Sequence, residues 1–340
     1  MEFAKRIADF GFLSTTFFCL SLIYLTVFEV KRNFGSYKYL LVTFPTLGIL
    51  FATLEVVIYP YSTSHNCGYM FFCDAHPFGL GENIMTWLLA GYGGIYALTI
   101  CNLATQFLYR YWAVFKETQL RLFKGFKLLI WVSYSLSFGI VWAVGIYYFN
   151  KLDAYSVNFF KEEVLKRYNL DFSEISGMAM VAYGSDKLPR WRNIGSIINM
   201  TVIMLIQYAI IIYCAVRMYK EMEEKVQILS PSLRKLHSQF FKTLILQIVI
   251  PTVILFSPVL FIIFLPLLDL EVDLPSGVFF SSFTVFPGMD SFLLMYIVQD
   301  YRKAIINLKK KLLDKIDVWT TRPGNEVTQT GVTNARNVVI

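Results

Sequence analysis

The sequence predicts an all-α membrane protein, organised as a seven-transmembrane helix bundle. Its 340 residues are 56% hydrophobic and only 16% charged, whereas a soluble domain is about 45–50% apolar and about 25% charged. Separate apolar blocks also recur, each close to the roughly 20 residues that a helix needs to cross the hydrocarbon core. Membrane β-barrels show shorter, alternating segments instead, so helices are the predicted spanning elements.

Seven blocks are long enough to span a membrane. They cover residues 10–28, 39–58, 84–107, 128–149, 194–216, 243–268 and 276–298. Five of the seven contain no Asp, Glu, Lys or Arg, and the exceptions carry Glu55 and Asp290. Residues 1–298 therefore form the predicted membrane domain.

The distribution of Lys and Arg predicts the orientation. The connections on one side of the membrane hold 22 basic residues and those on the other side hold nine. Basic residues concentrate in cytosolic loops, so the N-terminus is predicted to be extracellular and the C-terminus cytosolic. The net charge of +7 indicates contact with the lipid bilayer surface rather than with nucleic acid.

The segment after the last span is predicted to lie on the inner leaflet. Tyr301, Ile305, Leu308 and Leu312 recur at helical spacing among basic residues, a pattern typical of an amphipathic helix. We predict this membrane-surface helix over residues 299–315. Residues 316–340 are polar, and a disordered cytosolic tail is predicted there.

The end of the third span carries Tyr109, Arg110 and Tyr111. An arginine at this position can be an interfacial anchor, whose side chain reaches the headgroups. It can also be a switch residue at the cytosolic mouth of the bundle. Spacing alone does not decide between the two.

Span 6 contains Pro251 and Pro258, and span 7 contains Pro287 and Asp290. Prolines remove a backbone donor and can kink a helix, but they are also tolerated in membrane helices as structural features. The pair in span 6 is a candidate hinge. A buried carboxylate such as Asp290 marks a functional position by default, and its alternative role is a protonated group that locks helix packing.

The loop after span 2 holds Cys67 and Cys73. In an oxidising compartment these two cysteines can form a disulfide, and an unbonded pair is almost equally consistent with the sequence. The spacing does not fit a zinc site, and no nucleophile–base set or nucleotide loop is present. No metal, cofactor or enzymatic activity is therefore predicted.

A ligand pocket is predicted in the outer half of the bundle. Counting back from Arg110 places Tyr92 about 27 Å along the helix axis, with Tyr96 one turn deeper on the same face. Asn199 in span 5 and Phe283 in span 7 complete the predicted wall. Bundle sites are mostly apolar and aromatic, with a few polar groups. The alternative is that these side chains only pack the bundle.

Several short motifs resemble the nematode Str-type chemoreceptors of the serpentine receptor superfamily. They extend from about Gly35 to Asn307 and occur in the order and spacing of that family. The motifs are Gly35-Ser36-Tyr37-Lys38-Tyr39-Leu40, Tyr109-Arg110-Tyr111 with Leu120-Arg121-Leu122-Phe123, Gln239-Phe240-Phe241-Lys242 with Leu246-Gln247 and Pro251, Phe286-Pro287-Gly288-Met289-Asp290, and Asp300-Tyr301-Arg302. Ser291 is a departure, because relatives often have a second proline there.

This resemblance implies a G-protein-coupled-receptor-like bundle and a function in olfaction. The chain is expected to be a chemosensory receptor of the plasma membrane, in the sensory cilia of neurons. It would detect a small-molecule odorant and signal through a heterotrimeric G protein. A ligand-gated channel or transporter is the alternative, suggested by Glu55 and Asp290, and a membrane adaptor is a third, suggested by the basic tail.

Overall fold

The computed structural model describes most of the membrane domain and the helix that follows it. The residues described are 2–30, 35–74, 77–226, 257–269, 274–275 and 283–320, with residue 281 and single residues or pairs between 231 and 253. Pro251 of the predicted hinge lies outside the described residues, and so does the predicted tail from residue 321 onward.

Long helices dominate the described part of the chain. They are α1 Glu2–Tyr24, α2 Tyr37–Ile58, α3 Glu82–Phe115, α4 Leu128–Phe149, α5 Ala154–Tyr168, α6 Trp191–Val226, α7 Ser257–Phe264, α8 Phe286–Ile297 and α9 Gln299–Thr320. A π-helical turn, Leu25–Glu29, continues α1. Among the described residues, five helices are long and apolar enough to cross a membrane, and two shorter apolar helices follow. The predicted fold class is confirmed.

The five long helices correspond to predicted spans 1–5, and several extend beyond the predicted limits. Helix α3 has 34 residues and is therefore about 51 Å long. Arg110 consequently lies inside this helix rather than after its end. The two shorter apolar helices, Val259–Leu268 and Phe283–Ile297, fall within predicted spans 6 and 7.

A small antiparallel sheet caps one end of the bundle. It contains β1 Tyr61–His65, β2 Gly68–Cys73, β3 Ser176–Val181 and β4 Leu274–Pro275 in the order β3-β2-β1-β4. The strands come from the connections α2–α3, α4–α6 and α7–α8, which all lie at this end, called the sheet end below. The prediction of helices and loops alone missed this sheet.

The hairpin of β1 and β2 holds Cys67 and Cys73 apart. Cys67 and Cys73 are both free and buried. Cys67 lies in the turn directly before β2 and Cys73 is the last residue of that strand, so about 20 Å of extended chain separates them. A disulfide needs Cα atoms within about 7 Å, so this fold agrees with the unbonded alternative.

The opposite end, called the basic end below, carries α9 against the start of the chain. The Tyr301 hydroxyl shares a hydrogen bond with Thr26 Oγ1 at 2.8 Å. On another face of the helix, Lys311 Nζ lies 3.0 Å from a Glu29 carboxylate oxygen. Helix α9 continues to Thr320, five residues beyond the predicted end at residue 315, so the predicted disordered tail begins too early.

Helices α1 and α8 meet at unusually close range. The backbone N–H of Gly288 donates to Thr15 Oγ1 at 3.1 Å, and Thr15 Oγ1 donates in turn to the carbonyl of Thr284. A Cβ atom on Gly288 would lie 2.8 Å from the Thr15 Cα. Small residues allow this approach, as is typical of helix contacts in membranes.

Candidate functional site

A cavity of about 90 Å³ lies between the helices, directly below the sheet. Helices α3, α4, α6 and α7 form its walls, and strands β1, β2 and β3 form its roof. The lining side chains on the helices are Tyr92, Tyr96, Trp142, Ile146, Met200, Val259, Ile262, Ile263 and Phe283. Most of these are apolar or aromatic, as in small-molecule sites of helix bundles.

Tyr92 occupies the sheet end of this cavity. Its ring stacks on Phe51 of α2, with 4.4 Å between ring centroids, and lies 6.0 Å from the ring of Phe71 in β2. The side chain is buried. These contacts fix the ring from two sides and hold its hydroxyl at a defined position between α2 and α3.

Tyr96 lies one turn deeper and faces the same space. Its ring centroid is 5.9 Å from that of Trp142 on α4. Phe283 forms the wall on the side of the last span and is buried. The structure thus brings together three of the four side chains that the sequence placed in the pocket.

Asn199 is the fourth, and it does not line the cavity. Its side-chain amide donates to the Val141 carbonyl at 3.2 Å and packs on Gly145 of α4. Met200, the next residue, lines the cavity instead. One residue corresponds to 100° of helix rotation, so the predicted face of this span was wrong by one position.

Glu55 provides the polar group behind Tyr92. It is fully buried on α2, one turn before that helix ends. Its carboxylate faces the hydroxyls of Tyr92 and Ser281. Neither carboxylate oxygen is within the distance and angle limits of a hydrogen bond. A carboxylate in this environment is costly and usually functional. Glu55 therefore links the aromatic wall of the cavity to α2.

The roof consists of side chains that the sequence reading did not select. Phe71 of β2 and Met178 of β3 both border the cavity. A signal was available, because residues 61–73 combine aromatic and hydroxyl-bearing residues around a two-residue turn with Asn66 in the left-handed region. Such a pattern is typical of a hairpin.

Helix α5 covers the outer surface of the sheet and is tied down by ion pairs. Arg167 Nη2 lies 2.6 Å from a Glu163 carboxylate oxygen, and Arg167 Nη1 donates to Thr63 of β1 at 3.1 Å. His65 Nδ1 lies 3.7 Å from the other Glu163 oxygen. These contacts join α5 to the first hairpin.

Asp153 begins α5 with a capping box. Its carboxylate accepts from the Ser156 backbone N–H at 2.9 Å and pairs with Arg190. Burial raises the pKa of Asp153, but the hydrogen bonds from Ser156 and the ion pair with Arg190 outweigh it and hold that pKa below its usual value. The carboxylate is therefore ionised at neutral pH and fixes the start of the covering helix.

A second cluster of predicted residues lies at the basic end. Arg110 is 7% exposed, and its guanidinium carbon lies 3.6 Å from the centroid of the Tyr37 ring. Tyr109 stacks on the same ring at 5.1 Å and meets Phe123 edge-on at 4.9 Å. Arginine over an aromatic face is a favourable cation–π arrangement. The Tyr37 ring thus covers one face of the Arg110 guanidinium.

Tyr111 points away from that cluster. It is buried and its ring lies 5.8 Å from Tyr213 of α6. Residues two positions apart on a helix face nearly opposite directions. The predicted trio therefore divides into Tyr109 and Arg110 beside α2, and Tyr111 beside α6.

The proline and acidic positions of span 7 lie near α1 and α2. Pro287 is in the first turn of α8, directly after the 3₁₀ turn Phe283–Val285, and a Cβ on Gly48 would clash with its side chain. Asp290 is buried and interacts electrostatically with Cys19 of α1. Pro258 lies in α7, where only its backbone is described.

No group of three or more His, Cys, Asp or Glu side chains is placed to hold a metal ion within the described part of the chain. The surface of the cavity is almost entirely apolar, and the polar groups near it are hydroxyls, the Asn150 amide and the Glu55 carboxylate behind Tyr92. Such a lining suits an uncharged small molecule.

Comparison with known proteins gives matches along nearly the whole chain. A family model described as serpentine type 7TM GPCR chemoreceptor Str matches residues 4–306. "G-protein coupled receptor str-33" of Caenorhabditis elegans is 33% identical over 316 residues, covering 90% of this chain and 91% of that protein. "Serpentine receptor class r-10" of the same organism is 26% identical over 310 residues, covering 88% and 91%. The r-10 receptor of Caenorhabditis briggsae is 25% identical over 312 residues, covering 88% and 90%.

Proposed function

This chain belongs to the Str family of serpentine seven-transmembrane chemoreceptors, and from this premise we propose that it binds a small-molecule odorant in the cavity below the sheet and activates a heterotrimeric G protein at the basic end. The observation that carries the proposal is the cavity itself. It is bordered by four helices and a roof of strand side chains, with the Tyr92 and Tyr96 side chains in its wall.

The size and chemistry of the cavity support a compact ligand. An engineered apolar cavity of about 150 Å³ binds benzene, and the cavity here is about 90 Å³. A ligand of a few non-hydrogen atoms, with one group able to hydrogen bond, suits both the volume and the tyrosine hydroxyls. Small volatile alcohols, ketones and aldehydes have this size and chemistry.

The orientation follows from the distribution of basic residues. The sheet end faces outside and the basic end faces the cytosol, since the connections at the basic end carry 22 of the 31 Lys and Arg residues. An odorant then reaches the cavity from the side of the sheet, and α9 lies on the inner leaflet. We place the receptor in the plasma membrane of sensory cilia.

Arg110 is the proposed coupling residue. It is on the same helix as Tyr92 and Tyr96 and lies 14 residues beyond Tyr96, or about 21 Å along the axis. A ligand between α3, α4 and α6 binds one arrangement of these helices better than another and shifts the population towards it. At the basic end the same shift frees Arg110 from Tyr37 and exposes it to the G protein.

The proposal is tested by expressing the full chain in a heterologous cell and applying a panel of small volatiles. G-protein activation and membrane current are recorded in parallel, with untransfected cells as the control. We expect a saturable, ligand-dependent G-protein response that requires the receptor. A ligand-evoked current that persists without G-protein activation would instead support a channel and would overturn the proposal.

A further inference from the structure

A second concave surface lies on the outside of the bundle, where α1, α8 and α9 meet. It is a groove of about 590 Å³, hereafter the α1–α8 groove. Twelve residues line it, among them Phe17, Phe18, Ser21, Phe292, Tyr296 and Arg302. All but Ser21 and Arg302 are apolar or aromatic, and the groove is separate from the ligand cavity.

The walls of the groove are built to contact hydrocarbon. Phe18 and Phe292 meet edge-on at 5.4 Å and form its floor. Phe17 and Tyr296 are each 65% exposed on either side of that floor. The Ser21 hydroxyl donates to the Phe17 carbonyl at 2.7 Å, so it places no unsatisfied polar group in the groove. The α1 wall from Phe17 to Leu25 extends for about 12 Å.

The basic end of the groove carries a cation. Arg302 lies in the first turn of α9, and no described residue forms a hydrogen bond or ion pair with its guanidinium. Lys311 differs, because it pairs with Glu29 on the opposite side of α9. The positive end of a helix dipole adds to the attraction that Arg302 exerts on an anion. One end of the groove is thus cationic and the rest is apolar.

The exposed face of α9 continues this arrangement. Ile305, Ile306 and Leu313 are 42%, 65% and 51% exposed, on the side of the helix that also carries Arg302. A helix with this combination of apolar and basic residues lies in the interfacial plane of a bilayer. It therefore places Arg302 at the depth of lipid headgroups, with the groove extending from there into the hydrocarbon.

We propose that the α1–α8 groove binds one anionic phospholipid of the inner leaflet, with an acyl chain between α1 and α8 and the phosphate on Arg302. Charge complementarity selects this occupant. A sterol carries no anion, and the choline cation of a zwitterionic lipid lies beside its phosphate and weakens the attraction to the guanidinium, whereas a net-anionic lipid, in which the inner leaflet is rich, attracts it fully. Arginine binds phosphate oxygens through two parallel N–H groups, which positions the headgroup, and the net negative charge of the lipid gives the site its preference.

The test uses the purified full chain in nanodiscs made from equal amounts of phosphatidylserine and phosphatidylcholine with identical acyl chains. Lipids that remain bound after transfer to detergent are counted by native mass spectrometry. The wild-type chain is expected to retain phosphatidylserine in preference to phosphatidylcholine. Arg302→Gln should lower this preference about fivefold, the effect of one basic residue at an anionic surface. Lys310→Gln removes an equal charge outside the groove, from the surface that Lys310 shares with Glu29 and Lys311, and should leave the preference unchanged.

Two further variants distinguish the parts of the site. Arg302→Lys keeps the charge without the paired N–H groups and should give an intermediate preference for phosphatidylserine. It replaces Arg302→Gln if the Gln variant cannot be purified. Ser21→Trp fills the groove and should reduce retention of both lipids. Only variants with the melting temperature of the wild-type protein are compared.

Four results would overturn the proposal. One is equal retention of both lipids by the wild-type chain, and another is an equal loss in the Arg302 and Lys310 variants. Full displacement of the bound lipid by soluble glycerophosphoserine would indicate a site for the free anion. The last is a cross-linking result. If Ser21→Trp abolished chemical cross-linking between two receptor chains and left lipid retention unchanged, the groove would be assigned to a second copy of the chain.

Discussion

The guanidinium carbon of Arg110 lies 3.6 Å from the centre of the Tyr37 ring, which joins the basic end of α3 to the first residue of α2. The arginine is 7% exposed in this arrangement, so a partner protein would reach its guanidinium only after the surrounding side chains, Tyr37 among them, had moved. The contact therefore stabilises a state in which the proposed coupling residue is covered.

Replacement of Tyr37 should raise ligand-independent signalling. A buried cation–π contact contributes about 2 kcal/mol, so Tyr37→Leu is expected to raise the ratio of active to inactive receptor about thirtyfold. Basal G-protein activation is measured at matched surface levels. Tyr39→Leu is the control, because Tyr39 is on the same helix but 61% exposed. Equal basal activity in both variants would contradict the role of Tyr37.

Substitution of Arg110 should separate coupling from ligand binding. Arg110→Ala is expected to abolish G-protein activation while surface expression and ligand affinity remain close to wild type. Arg110→Lys keeps the charge but loses the planar group that stacks on Tyr37, so it should signal only in part. Complete signalling by the Lys variant would indicate that Arg110 is an interfacial anchor.

The close contact of α1 and α8 makes Gly288 a folding determinant. Gly288→Ala would place a Cβ 2.8 Å from the Thr15 Cα, and overpacking of this kind costs about 1–3 kcal/mol. We expect a lower melting temperature and reduced surface expression. Gly91→Ala is the matched control, since a Cβ there meets no atom within 4 Å. Comparable surface levels of the two variants would contradict this role, because α1 and α8 could then move apart at no cost in stability.

Asp153 should control the stability of the helix that covers the sheet. Asp153→Ala removes the cap, which contributes about 1 kcal/mol, and also the pair with Arg190. Amide hydrogen exchange in α5 is expected to accelerate about fivefold. Asp153→Asn retains the cap without the charge, so its exchange rate should lie between those of the wild-type chain and the Ala variant. Unchanged exchange in the Ala variant would mean that packing alone holds α5.

The pH dependence of this helix follows from the same group. Because the pKa of Asp153 is lowered in the folded protein, its contribution to stability is complete above the ordinary aspartate value of about 3.9 and is lost as the pH falls through the lower folded value. Asp153 should therefore cause no change in the opening equilibrium of α5 between about pH 6 and 8.

The sequence predicted the spans well because their signal is local. About twenty mostly apolar residues can cross a membrane only as a helix, and five helices of this kind lie at predicted spans 1–5. The helical period also predicted that Tyr92 and Tyr96 share one face of α3, and both side chains border the cavity.

The sheet and the orientation of span 5 were harder to predict. Strands β2 and β3 are separated by more than 100 residues, and no local pattern indicates that they pair. In span 5, apolar residues surround the helix, so the sequence does not reveal which face points inward. Asn199 was chosen for its polarity, yet its amide binds a carbonyl of α4 and Met200 lines the cavity.

The most direct test of the account is the dose–response curve for G-protein activation by an identified volatile agonist, measured for the wild-type chain, Tyr92→Phe and Tyr148→Phe. Tyr148 is the control, because its ring is 65% exposed outside the cavity. Loss of one hydrogen bond, at about 0.5–1.5 kcal/mol, predicts a two- to tenfold lower potency for Tyr92→Phe at unchanged surface expression, and no shift for Tyr148→Phe. Superimposable curves for all three proteins would contradict the assignment of the cavity below the sheet as the ligand site.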